Sequence, residues 1–469
     1  MYQVSEVSDA SAVRQCGSRV FSHDTIESVA VDSLKHFPNA PRTHSRRKIE
    51  QLARSIERFG IVIPIAVDPD DRVVAGEARL AAAKKLGMSH VPVLKVQHLS
   101  HAEMRAYRIV DNRLSERARW DPDALRAEFV FLIEHGIDLT FTGFEMGEID
   151  LTIGIAGDDD EANAIPDVDP TSEAVSRPGD VWRLGDHLLA CGDMSDAPLR
   201  QRLLGDDEID LVFTDPPYNV PIQGHVSGLG KQRHREFSQG SGEMSEEAFT
   251  AFLTRFLEVA AESCRDGAVM FVCMDWRHLF ELLSAARFNG LRQLNLCVWN
   301  KDNGGMGSLY RSKHELVLVA KKGSARHVNN VELGRFGRNR TNVWDYAGVN
   351  SFGKDRDRAL SMHPTVKPVE MIEDAIQDCS ERGDLVFDPF AGSGSTIIAA
   401  ERCGRRARAV EIDPVYCDTV LRRWEAFTGS EAALDGDGPT FAETARLRRA
   451  ALSSGYPSTP LPEGDLCHV

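Results

Sequence analysis

LVFDPFAGSGST, residues 385–396, is the segment from which the architecture of the larger part of the chain is best inferred. Its first three residues are apolar and have the character of a buried β-strand. Gly392 and Gly394 then form a turn without side-chain bulk, and the Ala- and Ile-rich residues that follow predict a helix. A strand, a glycine turn and a helix in this order allow a ligand to lie against bare backbone at the helix N-terminus. The segment therefore predicts an α/β fold.

A second strand is predicted about twenty residues further on, over residues 407–412. Glu411 and Asp413 lie at its end. An acid at this distance from a glycine turn is placed to accept hydrogen bonds from two ribose hydroxyls. The turn and the acid together are a much stronger signal for a cofactor that carries a ribose than either is alone.

Residues 363–368 read HPTVKP and lead into an amphipathic helix. Thr365 is placed to cap that helix, and the backbone N–H groups at a helix start can receive a carboxylate. Lys367 lies two residues further on. Ordinary helix capping is the alternative interpretation, and it would be the default if the motif stood alone.

Residues 215–218 read DPPY and follow an apolar run. Asp215 and the carbonyl of Pro216 are suited to accept hydrogen bonds from both hydrogens of a planar amine, which draws the nitrogen towards sp³ and frees its lone pair for attack. Pro217 braces the backbone, and Tyr218 offers an aromatic face to a base that has left the duplex stack. The tetrapeptide therefore predicts N-methylation of a nucleobase. A rigid turn with a surface tyrosine is the alternative.

Composition narrows the class of protein. The chain has 469 residues, enough for two or three domains, and a formal net charge of −16. This charge argues against a surface covered with nucleic-acid-binding side chains, so DNA contact is expected from a local patch. Nine scattered cysteines without a CxxC pair predict reduced thiols and no metal site. Neither a signal peptide nor a transmembrane stretch is recognisable, so a cytoplasmic, nucleoid-associated protein without membrane contact is expected.

Charge is unevenly distributed along the chain. Residues 156–177 hold seven acids and one base and predict an acidic linker, whereas residues 301–367 hold 13 Lys/Arg against 6 Asp/Glu. The basic stretch predicts a DNA-facing target-recognition segment at about residues 302–360, with a solvated loop as the alternative. Residues 1–20 and 429–469 are predicted to be flexible ends. The candidates for DNA contact are Lys313, Arg335, Arg338, Arg340 and Trp344.

Helix and strand alternate over residues 45–96, which predicts a compact α/β unit. The apolar residues before Gly60 fall at helical spacing, and Gly60 ends this helix. A second helix opens at Gly76-Glu77-Ala78-Arg79. Gly76 and Arg79 have two interpretations, an anion site at a helix start or a tight turn with a surface arginine.

This N-terminal unit resembles the N-terminal domain of ParB proteins over residues 21–155. The resemblance rests on residues 39–42 (NAPR), on the helix that ends at Gly60 and on residues 74–83 (VAGEARLAAA). ParB proteins carry nucleotide-binding arginines where this chain has Ala78 and Ala81. The resemblance therefore implies a small ParB/sulfiredoxin-like α+β domain with an accessory DNA-binding or assembly role, rather than a nucleotide-binding one.

The DPPY, HPTVKP and glycine-turn motifs, in this order, resemble the amino-DNA methyltransferases that use S-adenosyl-L-methionine, over residues 178–428. With the cofactor glycines last, the order is that of the permuted β class. The resemblance implies a Rossmann-like α/β domain with a mostly parallel sheet. The catalytic residues that it implies are Asp215, Pro216, Pro217 and Tyr218, and the cofactor-binding residues are Asp193, Thr365, Lys367, Asp388, Phe390, Gly392, Ser393, Gly394, Glu411 and Asp413.

The resemblance also implies the target. An aspartate at the first position of the tetrapeptide favours N6 of adenine, because N4-cytosine enzymes more often carry serine there. A site-specific methyltransferase acting on adenine in double-stranded DNA is therefore expected, with cytosine N4 as the close alternative. A homodimer and a cognate restriction enzyme are further candidate partners. Two other classes compete: a ParB-like DNA-binding regulator with a degenerate methyltransferase domain, and a bifunctional protein whose N-terminal domain cleaves or hydrolyses a substrate.

Overall fold

The computed structural model divides the chain into two units, Met1–Glu145 and Met146–Val469. Within the part of the chain that the structure describes, no helix combines the length and the apolar character needed to cross a bilayer. The described residues are 26–37, 44–115, 120–154, 159–166, 173–220, 242–302, 304, 309–331, 339–348 and 366–453.

The first unit is a small α+β domain. Its four-stranded sheet has the order β1-β4-β2-β3, in which only β4 and β2 are parallel. The apolar side chains of Ile65, Val67, Val73 and Leu80 form its buried core. The helices and strands predicted over residues 45–96 are present as α1 Arg46–Phe59, β2 Ile65–Val67, β3 Val73–Ala75, α2 Glu77–Lys85 and β4 His90–Lys95. The unit also contains β1 Ile26–Ala30, α3 His101–Ser115 and α4 Pro122–Glu134.

The turn before α2 favours one of the two interpretations of Gly76 and Arg79. Gly76 has φ +108°, a conformation that favours glycine. The Arg79 guanidinium donates hydrogen bonds to the backbone carbonyls of Ile63 (2.5 Å) and Pro64 (3.1 Å), and burial lowers its pKa. Since this arginine already bonds to the protein backbone, the geometry supports a tight turn rather than an anion site.

The second unit is built on a ten-stranded sheet with the order β11-β9-β10-β8-β7-β12-β13-β6-β5-β14. Its elements are α5 Met146–Ile153, α6 Asp159–Asn163, β5 Val181–Leu184, β6 His187–Cys191, α7 Ala197–Leu204, β7 Ile209–Thr214, α8 Glu246–Glu262, β8 Cys264–Met274, α9 Leu279–Phe288, β9 Arg292–Asn300, β10 His314–Lys321, β11 Val343–Asp345, α10 Val369–Cys379, β12 Leu385–Asp388, α11 Ser395–Cys403, β13 Arg406–Glu411, α12 Pro414–Thr428, β14 Ala433–Leu434 and α13 Phe441–Ser453.

The five neighbouring strands β8, β7, β12, β13 and β6 are parallel, and antiparallel pairs flank them. Alternate residues of these strands point to opposite faces. Leu211 and Phe213 pack in the layer that includes α10, α11 and α12, whereas Val212 packs in the layer that includes α7, α8 and α9. Helices on both faces of a mostly parallel sheet confirm the Rossmann-like fold class.

The expected acidic linker, residues 156–177, is partly folded. Residues 159–163 form α6, in which Ala162 is buried and its carbonyl accepts a hydrogen bond from Arg423 at 2.7 Å. The backbone N–H groups of Val175 and Ser176 donate to Asp418 at 2.7 and 2.8 Å. Composition concealed this structure because backbone hydrogen bonds, rather than large apolar side chains, attach the segment to the core.

The boundary expected at residue 155 also shifts. Helix α5 belongs to the second unit, where the Asp150 carboxylate, almost fully buried, accepts hydrogen bonds from Arg405 at 2.8 and 3.1 Å. Asp150 accepts a further bond from Arg382 at 3.0 Å. The second unit therefore begins before α5.

The expected flexible C-terminal tail, residues 429–469, is folded over its described part, residues 429–453. Strand β14 pairs with β5, and the ring of Phe441 in α13 packs edge-on against Trp182 with centroids 5.5 Å apart. Arg448 donates to Asp180 at 2.9 Å. Ala433 of β14 also forms a bridge with Thr440. Residues 1–20 and 454–469 lie outside the described residues.

The segment expected to face DNA, about residues 302–360, contributes two strands to the sheet. Strand β10 is almost entirely buried between β8 and β9, and β11 pairs in parallel with β9. The basic residues of this segment therefore lie in and between strands of the sheet, which the charge count did not reveal.

Candidate active site

The predicted site residues follow four adjacent parallel strands. Asp193 follows β6, Glu411 ends β13, the glycine turn follows β12, and Asp215 follows β7. Because the strands are parallel and neighbouring, their carboxyl ends lie at one edge of the sheet. The topology thus brings together three motifs that are far apart in the sequence.

Asp388 joins the DPPY strand to the glycine turn. Its Oδ1 accepts hydrogen bonds from the Thr214 hydroxyl (2.9 Å) and the Phe390 N–H (3.1 Å), and its Oδ2 accepts one from the Thr396 hydroxyl (2.6 Å). Burial raises the pKa of Asp388 to about 6. Asp388 therefore shapes the turn through its own hydrogen bonds.

The glycine turn has the backbone geometry that its sequence predicts. Gly392 and Gly394 have φ values of +54° and +82°. A side chain at Gly394 would place its Cβ 2.8 Å from Val420 of α12, so glycine permits the close packing of α11 and α12. Phe390, beside the turn, packs against Phe256 and Phe252 with centroid distances of 5.4 and 6.0 Å.

Glu411 is fixed beside this turn by two backbone N–H groups. Gly392 donates to Oε2 at 2.8 Å and Asp413 donates to Oε1 at 2.9 Å. Burial raises the pKa of Glu411 to about 7. Each carboxylate oxygen has a second lone pair, so Glu411 can also accept hydrogen bonds from a ligand.

The other predicted cofactor residues have distinct structural partners. Asp413 caps α12 by accepting from the Val415 N–H at 2.9 Å, and exposed Asp193 accepts from the Ser195 N–H at 2.7 Å. The carbonyl of Ser393 accepts from buried Arg423 at 3.0 Å. Thr365 lies outside the described residues.

Asp215 forms the centre of a cluster of charged and polar groups. Its Oδ1 accepts a hydrogen bond from the Tyr218 hydroxyl at 2.5 Å, and its Oδ2 pairs with the Lys367 ammonium. Both donors also lie close to Glu315 Oε2, at 3.1 Å from Tyr218 and 3.2 Å from Lys367. Lys367 was expected at the cofactor; its ammonium instead lies beside the acid of the DPPY motif.

Family models match three parts of the chain: a DNA methylase at residues 209–422, a ParB N-terminal domain at residues 18–113 and a ParB-methyltransferase HTH domain at residues 123–178. The first match spans Asp215, the glycine turn and Glu411. The chain therefore carries a DNA methylase domain over residues 209–422. It also carries a ParB-like N-terminal domain.

Individual relatives share the methyltransferase part. The chain is 27% identical over 228 residues to the type II methyltransferase M2.DpnII of Streptococcus pneumoniae, which covers 47% of this chain and 84% of the relative. It is 24% identical over 233 residues to M2.MboI of Moraxella bovis, which covers 48% and 83%. Among solved structures, the M1.HpyAVI–SAM complex is 19% identical, covers 50% of this chain and 98% of that one, and has a TM-score of 0.36.

The cofactor of this methyltransferase is S-adenosylmethionine. The residues at the carboxyl edge fit it. Gly392 and Gly394 leave backbone without side chains at the start of α11, and Glu411 places a fixed, buried carboxylate beside them. An open turn with an adjacent acceptor suits an adenosyl group, whose ribose carries two hydroxyl donors.

Two residues of the Asp215 cluster were missed by sequence reasoning. Burial would raise the pKa of Glu315, but the ammonium groups of Lys367 and Lys301 hold it at about 2. Lys301 pairs with Glu315 Oε1, and its ammonium lies 4.5 Å from the centre of the Trp299 ring. The sequence did carry a signal for them. Lys301 directly follows β9 and Glu315 lies at the start of β10, and these two strand ends pair at the carboxyl edge of the sheet.

Two predicted DNA contacts of the methyltransferase are wrong. Trp344 is buried, and its indole N–H donates to the Thr341 carbonyl at 3.1 Å, so its ring cannot reach a DNA strand. Arg340 pairs with Asp378 at 3.1 Å and with Asp374, and donates to the Tyr346 hydroxyl at 2.9 Å. Its guanidinium therefore holds the β11 region to α10.

Of the remaining DNA candidates, Lys313 alone lies among the described residues. Its side chain is exposed directly before β10, and its carbonyl accepts from the Lys301 N–H at 2.8 Å. Arg335 and Arg338 lie outside the described residues.

Proposed function

We propose that this methyltransferase transfers a methyl group to the exocyclic N6 amine of adenine at specific sites in double-stranded DNA. The observation that carries the proposal is the Asp215 carboxylate, held by Tyr218 and Lys367 on the strand next to the glycine turn. Asp rather than Ser at this position favours adenine N6, and cytosine N4 is the alternative.

The cofactor, when bound, supplies an electrophilic methyl group on a positively charged sulfur. Glu411 accepts hydrogen bonds from the ribose hydroxyls of its adenosyl group in this proposal, and Gly392 and Gly394 let the cofactor lie close to the backbone. Ser393, Phe390 and Asp388 shape this turn. Asp193 and Asp413 lie at the same edge, and with Thr365 they complete the cofactor set proposed from the sequence, from which Lys367 is removed.

In the proposed reaction, Asp215 and the Pro216 carbonyl accept hydrogen bonds from the two hydrogens of the amine. This raises electron density on the nitrogen and aligns its lone pair with the methyl group. Once the cofactor had supplied its methyl group, the amine would carry a positive charge and would release one proton, for which Asp215 would be the acceptor. Pro217 holds the turn, and the Tyr218 ring stacks on the flipped base.

The product base tests the proposal directly. We expect the purified chain to incorporate labelled methyl groups into DNA, and nucleoside digestion followed by mass spectrometry to yield N6-methyldeoxyadenosine. N4-methyldeoxycytidine would replace the adenine assignment while keeping the reaction class. Absence of any methylated nucleoside, with the cofactor bound, would contradict the proposal and favour the degenerate-domain alternative. Single-molecule sequencing of the methylated DNA would give the surrounding site.

Cofactor binding is expected to weaken in acid because Glu411 accepts better when ionised. With a pKa of about 7 in the free protein, Glu411 is mostly ionised at pH 8 and mostly protonated at pH 6. We expect the Kd for S-adenosylmethionine to rise about tenfold over this interval. Isothermal titration calorimetry at both pH values measures it. The matched variant Glu411→Gln should bind weakly with little pH dependence; an equally steep dependence in that variant would assign the titration to another group.

The role of the ParB-like unit and the further partners belong to the same proposal. For the ParB-like unit we propose accessory DNA contact, supported by the exposed Arg46, Lys48, Arg54 and Arg58 of α1 in a chain of net charge −16. A homodimer, a cognate restriction enzyme and association with the nucleoid follow from the resemblance to amino-DNA methyltransferases.

A further inference from the structure

Each oxygen of the Asp215 carboxylate already has a donor from the protein. Tyr218 donates to one of its oxygens and Lys367 pairs with the other. The proposed reaction requires this same carboxylate to accept a hydrogen bond from the target amine. Each Asp215 oxygen keeps a second lone pair, and Asp215 accepts most strongly from the amine when one of the two donors turns to another acceptor.

The structure contains that acceptor. Glu315 Oε2 lies 3.1 Å from the Tyr218 hydroxyl and 3.2 Å from the Lys367 ammonium, so both donors already lie between the two carboxylates. Glu315 is buried at the start of β10, and its other oxygen is paired with Lys301. A donor that leaves Asp215 for Glu315 exchanges one charge-assisted hydrogen bond for another within the same cluster.

We propose that Glu315 is a positioning residue that accepts Lys367 and Tyr218 when the target amine binds, and thereby releases Asp215 for that amine. This inference rests on the proposed function. Until the base arrives, the two donors satisfy Asp215, which prevents a buried carboxylate from remaining without partners. Lys301 holds Glu315 at the distance at which it can receive either donor.

The charges of the cluster support this exchange. Two carboxylates, Asp215 and Glu315, face two ammonium groups, Lys367 and Lys301, so the donors move between acceptors without changing the net charge. Burial raises the pKa of Asp215, and the charge of Glu315 raises it further, whereas Lys367 lowers it. Lys367 therefore has to stay near Asp215 for the carboxylate to remain ionised. A Lys367 bonded to Glu315 Oε2 stays in that vicinity.

A Glu315 that served only the fold would leave kcat of a folded variant at the wild-type level, whereas a positioning Glu315 sets kcat. The pH profile reports whether Glu315 acts on Asp215, since the acidic limb of kcat/KM for DNA, measured at saturating S-adenosylmethionine, reports the protonation of essential groups before DNA binds. The described titratable groups that act on Asp215 come from its own turn and from the surrounding strands and segments. They are Tyr218, Cys273, Glu315, Lys367 and Asp388, with Lys301 acting through Glu315.

The test is Glu315→Gln in the full chain, assayed by methyl incorporation into DNA. We expect kcat to fall about 10- to 100-fold, because the amide is a weaker acceptor for an ammonium group. Removing the charge of Glu315 lowers the pKa of Asp215, so the acidic limb of kcat/KM should move to lower pH. Glu401→Gln is the matched control, since Glu401 on α11 accepts from His187 and Trp424, and its profile should keep the wild-type limb.

Calorimetric binding of S-adenosylmethionine shows whether each variant is folded. If Glu315→Gln does not fold, Glu315→Asp serves instead: it keeps the charge but shortens the reach, so kcat should fall while the acidic limb stays in place. Wild-type kcat and an unmoved limb in Glu315→Gln, or wild-type kcat in Glu315→Asp, would overturn the inference. An inactive wild type would refute the proposed function, whereas an active wild type with an unaffected variant refutes the role of Glu315 alone.

Discussion

Asp215→Asn is expected to lower kcat for DNA methylation by about 10³-fold, near the limit of detection. The substitution preserves the size of the side chain but removes its charge, and one of the two acceptor oxygens becomes a donor NH₂. The target amine then loses its strongest acceptor and the released proton loses its nearest base. Lys367 retains Glu315 as a partner at 3.2 Å, so the cluster should remain folded.

Cofactor binding separates this effect from a general loss of structure. Glu411 and the glycine turn lie on other strands than Asp215, so the Kd of the variant for S-adenosylmethionine should stay within about twofold of the wild type. Asp210→Asn is the matched control: Asp210 lies on the same strand, β7, and pairs with Arg265 at 2.6 Å. Methyl incorporation by Asp215→Asn at the level of this control would refute the proposed role of Asp215.

Arg405→Ala is expected to destabilise the second unit by about 3–5 kcal/mol. Arg405 is fully buried and donates to both oxygens of Asp150, to the hydroxyl and carbonyl of Ser380 and to the carbonyl of Cys403. Removing it leaves an almost fully buried carboxylate with Arg382 as its remaining partner within the described residues. The loss is large because the negative charge keeps its desolvation cost after most of its compensation has gone.

Guanidinium unfolding followed by tryptophan fluorescence measures this change, because five of the six tryptophans lie in the second unit. The adjacent residue provides the control. Arg406 is 40% exposed and pairs with Asp207 at 3.3 Å, so Arg406→Ala should cost less than about 1 kcal/mol. Equal midpoints for the two variants would mean that α5 contributes little to the second unit, and that the domain boundary lies after it.

Local sequence patterns predicted the parts of the fold that depend on consecutive residues. The apolar run before Asp388, the glycine turn and the acid at Glu411 each depend on a few neighbouring positions, and the structure has them as strand, turn and strand end. Parallel pairing of β7, β12 and β13 then places Asp215 beside the turn. For these motifs the sequence identifies the residues, and the strand order of the sheet shows that they lie close together.

The remaining errors concern residues whose environment depends on distant segments. Trp344 and Arg340 lie in a stretch whose composition is basic, but one is packed in the core and the other is paired with two aspartates of α10. Glu315 was not identified because its partners come from the residue after β9, the DPPY turn and the segment before α10. Local charge counts do not distinguish a guanidinium that meets DNA from one that meets a carboxylate of its own chain.

The folded C-terminal segment around β14 limits how two molecules can associate. The outermost strand of the large sheet on this side, β14, has two residues, and the chain immediately folds back so that Ala433 bridges Thr440 and the Leu434 N–H donates to the Pro439 carbonyl at 3.1 Å. A terminal strand whose outer hydrogen bonds are satisfied internally offers no template to a strand of another molecule. Self-association by sheet extension is therefore blocked at this end.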